Sequence, residues 1–306
     1  VIGGLWGYLD DRGELAITPK YAWASDFDSR GFALVLVNRD DPFGSVINAA
    51  GETVLVDGVV VQLGEGWFVL KQQDRLVFTI AGVGPQFSIN AEWVEPAWRE
   101  GLASVRQNGK WGFVNRRGEF EIEPEFDGVA GFSEGLAAVR VGPDNWGYID
   151  RDGRMVILPQ FLLAGSFSHG VAAVCDAESR DFFIGRDGRP ISDRWFRGLD
   201  RPHEGLAAAW DREGHRYVRP DGSLAMPMVW RYCGRFRDGV AVVQAMEGTW
   251  HLIDPRGNKV CDLPEGEVDT QSANSQFILI WKDDVTTIVD RRGRIVNQLR
   301  NARPTR

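Results

Sequence analysis

The residues able to do chemistry are few and scattered. Histidines stand at His169, His203, His215 and His251. An imidazole is the side chain best suited to moving protons near neutral pH or to ligating zinc. None of the four sits in an HExxH or HxxxH pattern or at metal spacing from a cysteine. Acidic pairs occur at Asp40-Asp41 and Asp283-Asp284. Paired carboxylates can cleave glycosidic bonds, but neither pair has a distinctive setting, and both read as solvated loop acids. Cys175, Cys233 and Cys261 have no CxxC spacing and read as free thiols, with one disulfide plus a spare thiol as the alternative. P-loop and dinucleotide-binding patterns are absent. Local motifs therefore predict no enzyme, no cofactor and no metal centre. A catalytic site assembled across distant segments would escape this reading.

The elements that position these residues follow a repeat. One phrase, Trp-Gly, a hydrophobic pair, Asp or Asn, two polar residues and Gly, reads WGYLDDRG from Trp6, WGFVNRRG from Trp111 and WGYIDRDG from Trp146. Its closing glycine recurs at Gly13, Gly51, Gly82, Gly118, Gly153, Gly188, Gly222, Gly257 and Gly293, in steps of 31 to 38 residues. A second phrase reads EGLASV at Glu100, EGLAAV at Glu134, HGVAAV at His169, EGLAAA at Glu204 and DGVAVV at Asp238. Its glycine runs from Gly31 to Gly239 in steps of 34 or 35 residues, and the next copy falls near Asn274 or Ser275 in degenerate form. Two markers on one period predict a repeat architecture, in which each unit buries its apolar face on its neighbours.

The copy from Trp111 to Val139 shows what a unit should be. WGFVN is a short aromatic and β-branched strand. Asn-Arg-Arg-Gly is a tight turn, in which the Asx side chain bonds its own backbone and glycine supplies positive φ. Glu119 to Ile122 returns, Pro124 stops ladder pairing, Phe126 and Phe132 anchor a crossing, and Gly135 opens a third strand. About three strands per unit are expected, and the turn carboxylates are structural. The copies over about 40–105 are the most eroded, those over about 106–245 the cleanest, and residues about 285–299 form a capping hairpin to a single domain spanning 1–306.

These phrases resemble the WG (KWG) repeat family, found mostly in bacterial proteins; Lys110-Trp111-Gly112 shows the three-letter form, and ILPQF from Ile157 matches its I-x-P-x-F segment. The resemblance implies an all-β repeat scaffold used for interaction, without a shared reaction, cofactor or catalytic residue set. Units of 35 residues are short for propeller blades. A whole first hairpin and a whole last hairpin favour an open spiral or solenoid of about eight and a half repeats over a closed propeller.

Charge and aromatic content narrow the partners. With Lys+Arg 35 against Asp+Glu 43, the net charge is −8, which disfavours nonspecific nucleic-acid binding, and no apolar run reaches the roughly 20 residues of a membrane helix. Free thiols favour the cytoplasm; the start at Val1 leaves a periplasmic or secreted location open. Repeat register places turn-tip arginines, among them Arg116, Arg117, Arg151, Arg186 and Arg256, in a basic stripe, and Glu65, Glu100, Glu134, Glu204 and Asp238 in an acidic row elsewhere. Trp98 and Trp230 fill slots that hold Phe or Tyr in other copies and are expected in the core. Trp23, Trp93, Trp195 and Trp210 match no apolar slot and are candidates for exposed hot spots, a role tryptophan often fills. The expected function is a non-catalytic protein-binding scaffold, such as a toxin-neutralising immunity protein or a secretion or envelope adaptor. The alternative is a carbohydrate- or other ligand-binding module. Indoles clustered in a concavity with carboxylates would favour sugar; indoles scattered on a flat face with arginine would favour protein.

Overall fold

The structure, a computed structural model, describes residues 5–38, 40, 43–270 and 276–300. Asp41, Asn274 and Ser275 lie outside these residues. Among them there is no helix: the chain is an all-β tandem array of antiparallel sheets, each following the last in sequence order and none closing on itself. Its contacts cluster into two compact units, one built on Leu15–Pro159 and one on Gln160–Arg303, with the turn Asp11–Glu14 belonging to the second.

The clearest sheet runs Trp93–Val94, Leu102–Gln107, Lys110–Asn115 and Phe120–Phe126 in order. Sequence patterning finds the last three and misses the first, because two residues are too few to show a period. The same short outer strand recurs as Gly128–Val129, Leu163–Ala164, Gly198–Leu199 and Tyr232–Cys233. The return strand also runs further than expected. It continues through Pro124 to Phe126, with the ladder shifting between Trp111↔Phe126 and Phe113↔Ile122. Two residues on one strand thus face four on the other, and the bulge puts Pro124 where its missing N–H costs no ladder bond.

This bulge explains the glycine of Trp-Gly. A Cβ on Gly112 would lie 2.6 Å from the Ile122 carbonyl oxygen and 2.7 Å from the Pro124 nitrogen; on Gly7 it would meet the Ile17 oxygen, and on Gly147 the Ile157 oxygen, each at 2.5 Å. Where the proline bulge is lost, a side chain takes the position: Leu76 pairs with Ile89, and Thr287 with Gln298, in regular register. In the eroded second copy, Thr53–Gly64 has no proline and forms one twelve-residue strand that joins two repeats into a seven-stranded sheet.

Both glycine turns have a defined chemistry. In the first, the Asx oxygen accepts two backbone N–H groups: Asn115 from Arg117 and Glu119, Asp150 from Asp152 and Arg154, Asp254 from Arg256 and Asn258. In the second, Glu100 and Gly101 have φ of 50° and 83°, and Arg99 and Leu102 exchange backbone hydrogen bonds. That is a two-residue hairpin with both central residues left-handed, the geometry that matches strand twist.

The first turn is also the junction between repeats. It packs on the return strand of the hairpin before it: a Cβ on Gly51 would meet Ile17, on Gly118 Phe87, on Gly153 Ile122, on Gly257 Met226 and on Gly293 Cys261. Gly13 packs on Val296 in the same way, and the Asn297 side chain donates to the Gly13 carbonyl at 3.0 Å. The apolar clusters follow this arrangement. One combines Leu102, Phe113, Ile122 and Phe126 of one sheet with Phe132, Ala137, Val139 and Ile149 of the next.

Two outcomes follow. Gly112→Ala places a methyl group against backbone that no rotamer change can move, so it should cost about 1–3 kcal/mol, read as a lower urea midpoint at unchanged slope. The Asp254 carboxyl is held below 3.8 by hydrogen bonds from the Asn258 side chain and backbone. A depressed carboxylate contributes stability that is complete above its unfolded value and lost as pH falls through the folded one. Asp254→Asn keeps the acceptor oxygen, as Asn115 does, and removes the titration. The variant should therefore lose less melting temperature than the parent between about pH 5 and pH 2.

Candidate docking surface

The turn-tip arginines do not form a free stripe. The guanidinium of Arg116 lies 5.5 Å from the Trp98 ring centre, that of Arg151 5.5 Å from Phe132, and that of Arg186 5.8 Å from Phe167. Arg116 also pairs with Glu65 at 2.6 Å, and Arg151 donates to the Glu100 carbonyl at 2.8 Å and lies 3.4 Å from its carboxylate. Arg117 and Arg256 are exposed, their backbone N–H groups bonded to Asn115 and Asp254.

The acidic row and the basic stripe therefore meet instead of lying apart. The row is tied to the next repeat as well: the Glu100 carboxylate accepts the Gly135 N–H at 3.1 Å, and Glu204 accepts the N–H groups of Asp238 and Gly239 at 2.7 and 3.0 Å. A non-glycine residue at positive φ is disfavoured, and these bonds give glutamate a reason to hold the position.

The four off-register tryptophans are all exposed: Trp23 at 41%, Trp93 at 48%, Trp195 at 51% and Trp210 at 42%. Of the two expected in the core, Trp98 is buried and Trp230 half-buried. Three of the exposed indoles share a register row. Trp23 and Trp93 each open a two-residue outer strand, opposite Leu36 and Arg106, and Trp210 lies opposite Gly198, which opens the equivalent strand. Residues directly opposed in an antiparallel pair share a face, so the row continues from Trp93 through Arg106 to Trp111. Its spacing was readable: Trp23 and Trp93 each stand eight residues before the second-phrase glycine, Gly31 or Gly101. Trp195 lies outside the row, beside Phe196, which bonds to Asp181.

In the second unit the row becomes an aromatic run. The rings of Trp210 and His215 are 5.7 Å apart at 29°, Tyr232 is 6.2 Å from His215, and Trp250 is 5.6 Å from Tyr232. Burial lowers the proton affinity of the His215 imidazole, which favours its neutral, stacking form. His169 contacts the Ser168 hydroxyl at 3.0 Å, and His203 lies 3.4 Å from the Arg201 guanidinium. Among the described residues no three His, Cys, Asp or Glu side chains are grouped to hold a metal. The three cysteines are free, and burial pushes the Cys175 thiol up to about 12.

The sequence-level resemblance holds at the level of family. The model of the WG containing repeat matches residues 6–39, 92–111, 111–142 and 146–176. These matches fall on the copies that carry the hairpins described above, and the chain belongs to the WG-repeat family. No curated protein matches the sequence. Among solved structures the chain is similar in fold to a eukaryotic initiation factor, with TM-score 0.56 at 12% identity over 88% of this chain and 84% of that one. Weaker likeness extends to Sqt1 of Saccharomyces cerevisiae, with TM-score 0.49 and 9% identity over 96% and 98%. BamB from Moraxella catarrhalis gives TM-score 0.46 and 11% identity over 78% and 86%.

The Glu100 clamp gives a direct test of its structural role. Its carboxylate is partly exposed and serves both Gly135 and Arg151. Glu100→Ala should cost about 1 kcal/mol through the lost charge-assisted bond. Arg151→Ala in the same background should add less than it does alone, so a double-mutant cycle by chemical denaturation gives a nonzero coupling.

Proposed function

We propose that the chain is a protein-binding scaffold that docks its partner on the faces carrying the exposed tryptophans. The observation that carries this reading is the exposure of Trp23, Trp93, Trp195 and Trp210 beside a core that buries Trp67 and Trp98. Leaving large apolar surface in water forfeits about 25 cal/mol per Å², a loss that a partner covering it would recover. Trp and arginine are also the residues most enriched among binding hot spots, and the row from Trp93 through Arg106 to Trp111 presents both. The indoles are distributed over separate sheets instead of converging with carboxylates in one concavity, which supports protein over sugar. Toxin neutralisation, or an adaptor role in secretion or envelope assembly, fits a docking protein.

One observation favours the second reading locally. The run Trp210–His215–Tyr232–Trp250 offers ring faces of the kind that stack on sugars, so a glycan signal lost in Trp210→Ala would support it. For the leading reading, the chain and its Trp23/Trp93/Trp195/Trp210→Ala variant are used as baits in lysate of the source organism. A partner identified by mass spectrometry is then titrated against both. The expected outcome is at least about tenfold weaker binding by the variant, or about 1.4 kcal/mol, at an unchanged melting temperature. Equal affinities would overturn the reading.

A further inference from the structure

In the second unit the glycine of the Trp-Gly phrase gives way to Phe182, Arg216, His251 and Thr287 in successive copies. His251 occupies the glycine position of the Trp-Gly phrase and pairs directly with Asp262 on the return strand. The segment has no proline bulge here, and the space it would occupy holds an imidazole. His251 Nδ1 lies 2.7 Å from the Asp262 carboxylate, and its Nε2 lies 3.0 Å from the Thr249 hydroxyl. The two contacts determine one another. If Nδ1–H donates to Asp262, Nε2 is bare and can accept the hydroxyl proton, for which the Glu247 carboxylate at 3.3 Å is the other acceptor. Lys259 holds the other side of the carboxylate, its Nζ at 3.0 and 3.1 Å from the two oxygens. Only 12% of the His251 side chain is exposed. The same imidazole lines an open cleft of about 360 Å³ whose wall is largely apolar, with Met228, Trp230 and Met246 beside Glu247 and Lys259.

We propose that Thr249, His251 and Asp262 form an acyl-transfer site for esters with an apolar acyl group, which the cleft receives. The order of groups, hydroxyl to Nε2 and Nδ1 to carboxylate, is the one by which an imidazole activates a weak nucleophile. Thr249 Oγ attacks the ester carbonyl carbon while its proton passes to His251 Nε2. The tetrahedral intermediate then collapses, the bond to the leaving oxygen breaks, and that oxygen takes the proton from Nε2. The acyl group is left ester-linked to Thr249. Water, deprotonated at Nε2, adds to this ester, releases the carboxylic acid and restores the hydroxyl. Nothing is oxidised or reduced. Asp262 is a positioning residue that fixes the ring and its tautomer. The site goes beyond the docking reading and does not depend on it.

The test uses the full chain with 4-nitrophenyl hexanoate, following nitrophenolate release by absorbance and the protein by intact mass and peptide mapping. The wild type should gain one hexanoyl group, mapped to Thr249. Thr249→Val lies on an exposed turn; it and His251→Gln should each react at least about a hundredfold more slowly, the lower range for general-base catalysis. Asp262→Asn should slow the step at saturating ester while leaving the half-saturating concentration unchanged. Circular dichroism melts confirm that the variants are folded. Label on lysines alone, or equal rates in wild type and Thr249→Val, would overturn the proposal.

Discussion

The close approach of each return strand to the strand before it sets the terms for the rest of the molecule. At Gly112 there is no room for even a methyl group between the strand and the Ile122 carbonyl. That contact permits the proline bulge, and the bulge carries the return strand on to Phe126, opposite Trp111. A single hairpin cannot bury its apolar face. Seating the turn glycine of one hairpin on the return strand of the one before it gives that face a partner, and repetition of the contact produces the clusters of apolar residues spanning adjacent sheets. The turns are polar because they are exposed, yet the polar groups are committed. Asx oxygens hold the first turn, glutamates bind across to the next repeat, and arginines lie over aromatic rings.

This commitment separates what the sequence disclosed from what it did not. The WG phrase and the Asx turns were legible because one geometric demand repeats at a fixed period, and the glycines at Gly118 and Gly153 answer it each time. The short outer strands were not legible, since Trp93–Val94 or Tyr232–Cys233 is too brief to show alternation. Charge was the harder case. Repeat register put Arg151 and Glu100 in separate rows, but a linear sequence does not reveal that a residue 51 positions away completes the pair. The exposed tryptophans were recognised by failing to fit an apolar slot. Their shared register became visible only with the outer strands in view, because Trp23 and Trp93 open those strands while Trp210 faces one from across the ladder.

Departures from the repeat differ in kind, and the difference depends on what each position must satisfy. Replacing the motif glycine with Leu76 or Thr287 restores an ordinary ladder and a buried side chain. Replacing it with His251 also restores the ladder, but inserts a group able to accept and donate protons between a hydroxyl and a carboxylate. A fold-level requirement is met equally well by all three residues, so packing alone does not account for an imidazole at this position. The indoles of the outer row follow the same logic. The eroded copy has Gly58 at the corresponding position, eight residues before Gly66, where the other two copies carry the exposed Trp23 and Trp93 at the ends of their sheets. The framework needs only a residue able to form the strand there, and it is at such weakly constrained positions that a repeat protein is free to acquire a binding surface without disturbing the junctions that hold its units together.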